Sequence, residues 1–457
     1  LSSHNGIFST QIFPEMKPFH PWLIAAACSI WAFSCAPKPQ KEVSLPQPDP
    51  RNGGISLPEG FGAVVFADTL GAGRHLAVAP NGDVYAHLMN DRKGHALVAL
   101  RDTNGDGRAD LHQGFGTEPG TGIEIRGNYL YFSNQTRVMR YALAPGQLLP
   151  QTDKTDTIAR LVPGDGHMEK PFAFDNQGNM YVNVGSYSNC CEQTLRTAQS
   201  PGDDPCRELE TRAGIWKFSA EALNQDQTPE KRYASGIRNA VAISWNPFTN
   251  KLYAVQHGRD DLHRFWEDKF TPEQNVEWPA EEFFEVNEGD FMGWPYCFYH
   301  PEKKVKVLNP EYGGDGLSVE RCADAKLPLV GFPGHWGPND LLFYQGDMFP
   351  ERYKEGAFIA FHGSWNRLGQ NQAGFLVAFV PMKNGKVTGE YEIFADGFVG
   401  AQPVTSPGDA LYRPCGLAEG PDGSLYILDS MEGRLWRVFH YPAGTSAPGE
   451  AKQAMND

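Results

Sequence analysis

Six times along this chain an alternating apolar strand reaches a turn built on Gly or Asn and returns as a second strand carrying an aromatic residue. The cores are HLAVAPNGDVYAHL (His75 to Leu88), GIEIRGNYLYFS (Gly122 to Ser133), FAFDNQGNMYVNVG (Phe172 to Gly185), the hairpin from Val241 to Gly258, LLFYQGDMFPERYKEGAFIAFHG (Leu341 to Gly363) and CGLAEGPDGSLYILD (Cys415 to Asp429). Period-two alternation interrupted by turn residues is the signature of β-hairpins. Between the cores lie further strand candidates, among them ALVALRD, RVMRYAL, GIWKFS, FLVAFVP and RLWRVF. Two strands per core and two outside it make a four-stranded antiparallel sheet, and six such sheets around one axis make an all-β, six-bladed β-propeller. With 49 Gly and 35 Pro, the 457 residues suit frequent turning better than long helices, and a repeat array fills this length as one unit. Residues 57–440 are assigned to the propeller.

In that architecture the entry ends of the inner strands meet at one mouth of the channel, so residues far apart in sequence converge. The entries hold Arg74 and His75, Thr121, His167 with Lys170, Arg238 with Asn239, His335 with Trp336, and Arg413. Each alone is an ordinary capped strand end. Together, several histidines and three arginines suit a multiply anionic ligand beside a general base. The segments GHWGPNDLLFYQG and FHGSWNR add His362, Trp365, Asn366 and Arg367, aromatics and donors of the kind a planar cofactor or a sugar needs, although Trp in a blade core explains them equally. DTNGDGRAD places Asp102, Asn104, Asp106 and Asp110 at the spacing of an oxygen-ligand Ca²⁺ loop, but Gln113 stands where an EF-hand has its bidentate Glu. A structural Ca²⁺ loop and an Asp-rich hairpin turn are both consistent with it. The net charge of −15, with no basic run, argues against nucleic acid as a partner.

The first residues read as an export segment. Met16 is a candidate start, Lys17 supplies the basic region, Trp22 to Phe33 the short apolar region, and Ala32 to Cys35 resembles a lipobox whose cysteine would be lipidated. A plain secretory signal is the alternative. Residues 1–35 are therefore assigned to upstream sequence and signal, 36–56 to a tether rich in Pro, Lys and Gln, and 441–457 to a tail. The expected location is periplasmic or outer-membrane-anchored, with membrane contact only through Cys35. Among the body cysteines, Cys297 with Cys322 is the expected disulfide, and Cys206 with Cys190 or Cys191 the second. No CxxCH haem motif occurs.

From Leu57 to Val438 the chain resembles the soluble pyrroloquinoline quinone (PQQ)-dependent sugar dehydrogenases, especially their sorbosone and aldose dehydrogenase-like branch. The resemblance is carried, in order, by LPEGF, LRDTNGDGRAD, GHMEKPFAFDNQGNMYVNVGS, YASGIRNAVAISWNP, QHGRD, EGDFMGWPYC, FYQGDMFPERYKEGAFIAFHGSWNR and RPCGLAEGPDGSLYILD. It implies a six-bladed propeller with PQQ over the channel mouth. His167 would be the general base at the anomeric hydroxyl of a sugar, or of a related alcohol or aldehyde substrate. Arg238 and Asn239 would bind the cofactor, the backbone carbonyls of Gly258 and Arg259 its Ca²⁺, and Arg413 a cofactor carboxylate. His335 and Trp336 join the cofactor set, and Arg367 is the candidate for the family's cofactor lysine. Electrons would pass to an external acceptor. One departure stands out: the glucose-oxidising relatives have an Asp where this chain has Ser186, and a hydroxyl cannot stabilise an imidazolium as a carboxylate does. A lactonase-type propeller hydrolase and a non-catalytic sugar-binding propeller are the alternatives.

Overall fold

The computed structural model describes Glu15 and residues 45–89, 94–163, 166–367, 369–400 and 403–441. The export signal with Cys35, the first part of the tether and the tail beyond Tyr441 lie outside the described residues. The described residues form six antiparallel blades in sequence order, with two further two-stranded hairpins outside them. Their inner strands are Gly73–Val78, Ile123–Arg126, Phe172–Phe174, Ala242–Asn246, Pro338–Phe343 and Pro414–Glu419. Each blade has four strands, except that the second gains a short parallel strand, Gln225–Asp226, beside Gln151–Arg160. The all-β, six-bladed propeller expected from the repeats is the observed fold.

Every inner hairpin turns through a residue of left-handed backbone just before or near its second strand. These are Gly82, Gly127, Gly178 and Gly423, with Asn250 and Glu355 in the remaining two. Only Gly, and to a lesser degree Asn, takes that conformation without strain, which is why the repeat carries its Gly or Asn signature. At Glu355 the side chain compensates by binding Lys383 and the Asn384 N–H. In the first blade Asp83 accepts both Arg101 Nε and Nη2 at 2.6 Å, tying the turn to the third strand.

The last sheet is completed from the other end of the chain. Phe61–Ala67 pairs antiparallel with Leu435–His440, with Phe61 opposite His440 and Val65 opposite Trp436. Behind this seam Trp436 is fully buried, edge-on to Phe398 and Tyr412, with its indole N–H donating to the Gly53 carbonyl at 3.2 Å. Residues 45–56, expected to belong to the tether, are packed structure instead. Asp49 accepts the Val65 N–H at 2.7 Å and pairs with Arg108, Ile55 enters the core, and Ser56 bridges to Asp396. A carboxylate that satisfies both an edge-strand amide and a guanidinium is a strong reason for a polar segment to stay folded.

Three long excursions leave the blades. Residues 185–213 follow the second strand of the third blade and are stapled by a disulfide between Cys191 and Cys206, leaving Cys190 as a buried thiol. The second, between the second and third strands of the fourth blade, carries the helix Pro272–Glu277, capped by Thr271 and Gln274 in a reciprocal capping box. The third, after the strand Glu281–Val286 of the same blade, carries the hairpin Cys297–His300 with Val305–Leu308, stapled by the expected Cys297–Cys322 disulfide. Among the described residues no helix is long and apolar enough to cross a membrane.

Replacing Trp436 with Ala removes the largest side chain of the closing seam and its hydrogen bond. Denaturant unfolding is expected to show a loss of about 3–5 kcal/mol in stability, as for other buried aromatics.

Candidate active site

A cavity of about 610 Å³ opens among the entries of the inner strands. Of the residues expected from sequence, His167, Arg238, Asn239, Gly258, His335 and Arg413 line it. Arg74, noted among the strand entries, joins them, so three arginines from three different blades do converge on one space.

His167 is held by the main chain. Its Nδ1 lies 2.9 Å from the Ser186 carbonyl and 3.1 Å from the Ser186 hydroxyl oxygen, while that hydroxyl donates to the Ser188 carbonyl at 2.7 Å. A carbonyl can only accept, so Nδ1 carries the proton and Nε2 keeps its lone pair, with no partner among the described residues. The position that lacks the relatives' carboxylate thus still orients the ring, through its backbone oxygen. The close approach depends on Gly185, where a Cβ would stand 2.6 Å from His167 Cβ and 2.7 Å from Asn239 Oδ1. Burial, and then the Arg238 guanidinium, holds the imidazole well below its ordinary value, so it is neutral near pH 7.

Glu169 was not singled out from the sequence. It lines the same cavity, faces Arg74 at 3.5 Å, and acts on His167 in the opposite sense to Arg238, favouring its protonated form. Burial would raise Glu169, but Arg74, a backbone amide and His167 together keep it below the usual carboxylate range. Glu169 thus gives His167 a nearby carboxylate, though not one bonded to its ring.

Arg238 is buried and fully engaged. It donates to the Asn189 carbonyl at 3.2 Å and side-chain oxygen at 3.0 Å, to the Gly258 carbonyl at 2.8 Å and to Asp260 at 2.7 Å. Asp260, another residue the sequence reading left without a role, also binds Arg196 at 3.0 Å and Asn366 at 3.0 Å. Burial works against its charge, yet Arg238 and its neighbours hold it ionised and depressed. Asn239 accepts from Asn183 at 3.1 Å, and its backbone carbonyl accepts the His257 N–H at 2.9 Å. These bonds lock the Arg–Asn pair between the third and fourth blades.

The other cavity histidines are tethered in the same manner. His257 Nε2 meets the Pro338 carbonyl and His335 Nε2 the Asn275 carbonyl, both at 2.7 Å, while His362 Nε2 meets the Ser430 hydroxyl at 2.6 Å. Burial lowers all three, His257 to about 4. Arg413 donates Nε and Nη2 to the carbonyls of His362 and Gly363, and burial lowers it to about 10, which leaves it charged at neutral pH. Glu281 accepts the N–H groups of Gly258 at 2.8 Å and Gly337 at 3.3 Å, and burial raises it to about 8.

Several expected residues lie elsewhere. Trp336 packs against Phe361 and Tyr391 between blades, because the residue after His335 points to the core. Arg367 is turned away and spends its guanidinium on Glu277, Asn371 and Val276. Lys170 is buried with its ammonium on the carbonyls of His167 and Met168. The Arg259 side chain is buried in an ion pair with Glu311 at 2.6 Å and does not line the cavity. In the Asp102 loop, Asp102 accepts from Gly105 and Gly107 N–H groups, Asn104 and Asp106 serve their own turn, and Asp110 binds Thr103. Those four side chains stabilise a turn rather than surround a common point. Among the described residues no group of three or more His, Cys, Asp or Glu side chains is disposed to hold a metal.

The cavity suits an anionic quinone. Arg74 and Arg413 each retain Nη1 without a protein acceptor among the described residues, so carboxylates can be met without breaking existing bonds. Calcium fits less well: the Gly258 carbonyl is a suitable hard donor, but it already accepts from Arg238, and a cation there would face a guanidinium.

A PQQ-dependent pyranose dehydrogenase of Coprinopsis cinerea is 25% identical over 294 residues, 56% of this chain and 37% of that protein. The chain spans between 37% and about half (51%) of the length of the first curated relatives it matches. The structure of the holo PQQ domain of the Coprinopsis cinerea pyranose dehydrogenase superposes with a TM-score of 0.68 at 18% identity, covering 86% of this chain and 98% of that one. The Trichoderma reesei family AA12 enzyme superposes with a TM-score of 0.70 at 16% identity, covering 88% and 100%. The TrAA12-like family model matches residues 55–440, the whole propeller including its closing strand, and the chain belongs to that family.

Proposed function

We propose that this protein is a PQQ-dependent dehydrogenase that oxidises a sugar at its anomeric carbon and passes the electrons to a separate acceptor. The observation that carries the reading is His167, a neutral imidazole fixed through Nδ1, with Nε2 free in a cavity lined by four arginines, Arg74, Arg196, Arg238 and Arg413. When bound, the quinone supplies a two-electron acceptor for the hydrogen on that carbon. Arg74, Arg238, Asn239 and Arg413 are the residues that would hold its carboxylates and polar oxygens. His167 Nε2 takes the proton of the anomeric hydroxyl, and the positive charge this creates is favoured by Glu169 and Asp260.

Calcium is proposed as an accompanying ion because a calcium structure exists for the Trichoderma reesei AA12 enzyme. Export is proposed because the two disulfides are typical of oxidising compartments; lipidation at Cys35, with a periplasmic or outer-membrane location, is proposed from the lipobox-like sequence alone. The lactonase reading needs side chains free to ligand a metal, whereas Asp260 is held by Arg238 and Arg196, Glu169 by Arg74, and Glu281 by two backbone N–H groups. The non-catalytic reading drew its force from Ser186, and the backbone bond to His167 removes that force.

Titrating the metal-stripped protein with PQQ, with and without Ca²⁺, is expected to give saturable binding by calorimetry and sugar-dependent reduction of a redox dye. No binding at any calcium concentration would sink the proposal. In the loaded enzyme His167→Ala is expected to lower kcat about 10²–10⁴-fold, the usual contribution of general base catalysis. Ser186→Ala should stay within about tenfold of the parent, because the carbonyl that orients the ring remains. A loss as large as that of His167→Ala would mean that the hydroxyl, not the main chain, positions the base.

The depressed imidazole also fixes the pH dependence. The base works when deprotonated, so activity rises as pH rises through its pKa, and with the pKa depressed that rise is complete below pH 6. The acid limb of kcat/KM is expected to be flat from pH 6 to 8. An inflection near pH 6.5 would contradict the environment described.

A further inference from the structure

Beside the catalytic cavity lies a second hollow of about 490 Å³, and Trp365 lines both. Its side chain is 53% exposed, unusual for so large an aromatic in a molecule whose other ring systems are mostly packed between blades. The guanidinium of Arg196, from the Cys191–Cys206 loop and itself part of the first cavity, lies 6.0 Å from the Trp365 ring centroid. Asn366 ties the two spaces together. Its amide nitrogen donates to Asp260 in the first cavity, while its amide oxygen has no partner among the described residues and the residue lines the second hollow.

The remaining lining offers hydrogen-bonding groups of both kinds. Gln372 uses its side-chain oxygen on Ser364 and keeps both amide N–H donors. Thr405 donates its hydroxyl proton to Asp409 and keeps its oxygen as an acceptor. Arg264 extends into solvent, its nearest carboxylate being Asp261 at 3.9 Å. An exposed aromatic plane edged by both charged and neutral hydrogen-bonding groups, Asp261 and Arg264 beside Asn366, Gln372 and Thr405, matches a sugar ring, whose C–H face stacks and whose hydroxyls both give and take protons.

Resting on the dehydrogenase reading above, we infer that this hollow is a subsite for the sugar residue next to the one oxidised, so that the substrates are reducing di- or oligosaccharides. The reducing-end ring occupies the first cavity, Trp365 stands at the junction, and the next ring meets Gln372, Thr405 and Arg264. In the reaction the reducing-end C1 gives its hydrogen with two electrons to the quinone and its O1 proton to His167. The product is the lactone, and the glycosidic bond stays intact.

The test compares kcat/KM of the PQQ-loaded full chain on pairs with the same reducing-end ring: glucose with cellobiose and maltose, xylose with xylobiose. At least one disaccharide is expected to exceed its monosaccharide by about tenfold, the gain of one or two net hydrogen bonds. Arg264→Ala and Gln372→Ala should remove that advantage and leave the monosaccharide value unchanged. Arg264 is exposed enough that its replacement does not threaten folding. Monosaccharides equal to or better than disaccharides in every pair, or variants that lower both alike, would overturn the subsite while the dehydrogenase stands. If no sugar is oxidised, the dehydrogenase reading fails separately. The subsite is then decided by saturation-transfer NMR of cellotriose and xylotriose on the cofactor-free chain: signal from an inner ring that weakens in Gln372→Ala sustains it, and no binding refutes it.

Discussion

Pairing of Phe61–Ala67 with Leu435–His440 turns six consecutive sheets into a ring, and the geometry of the cavity follows from that closure. Arg74 precedes or opens the first inner strand, His167 leads into the third, Arg238 into the fourth, His335 into the fifth and Arg413 into the sixth. None of these reaches another through local structure. What brings them within one small space is that every blade presents the same end to the axis, and an open ring would let the last blade swing away with Arg413. Closure also covers what would otherwise be the unpaired outer edge of Leu435–His440.

Within the ring, charge is arranged in compensating pairs rather than scattered. Arg238 with Asp260, Arg74 with Glu169 and Arg259 with Glu311 each set a guanidinium against a carboxylate. Asp260 is shared by Arg238 and Arg196, so the cavity floor and the stapled loop above it are parts of one network. Such buried pairs are weak evidence for stability, because desolvation offsets much of the attraction. Their effect is positional: each side chain has one place in which all its bonds can be made. The histidines obey the same logic, each giving one nitrogen to a fixed oxygen and so presenting the other in a defined direction.

The fold was legible because its signals are local. Alternation of period two and a left-handed turn residue recur in every blade, and neither depends on distant neighbours. The strand entries were legible as a set for the same reason, and Cys297 with Cys322 could be paired because one excursion holds both. Individual roles were harder wherever a neighbour decides them. Trp336 differs from His335 by one position, yet one faces the core and the other the cavity. Arg367 looked available until Glu277, ninety residues earlier, is seen to occupy it. Ser186 read as a loss because side chains are visible in a sequence and backbone carbonyls are not. Glu169 sat unnoticed beside Lys170, and its value comes from Arg74, ninety-five residues earlier on another blade. The choice between Cys190 and Cys191 likewise rested on backbone direction, which no spacing of two adjacent cysteines reveals.

The closing seam has a consequence for the order in which the molecule can form. Its two partners lie almost the full length of the propeller apart, so the last sheet cannot be completed until the final strand is made. Until then Leu435–His440 has no outer neighbour and Phe61–Ala67 has no sheet. Contacts of such high sequence separation form slowly, because loop entropy is lost before the contact is gained. A nascent chain therefore carries a pairing-competent strand ahead of the first blade until Leu435–His440 is made.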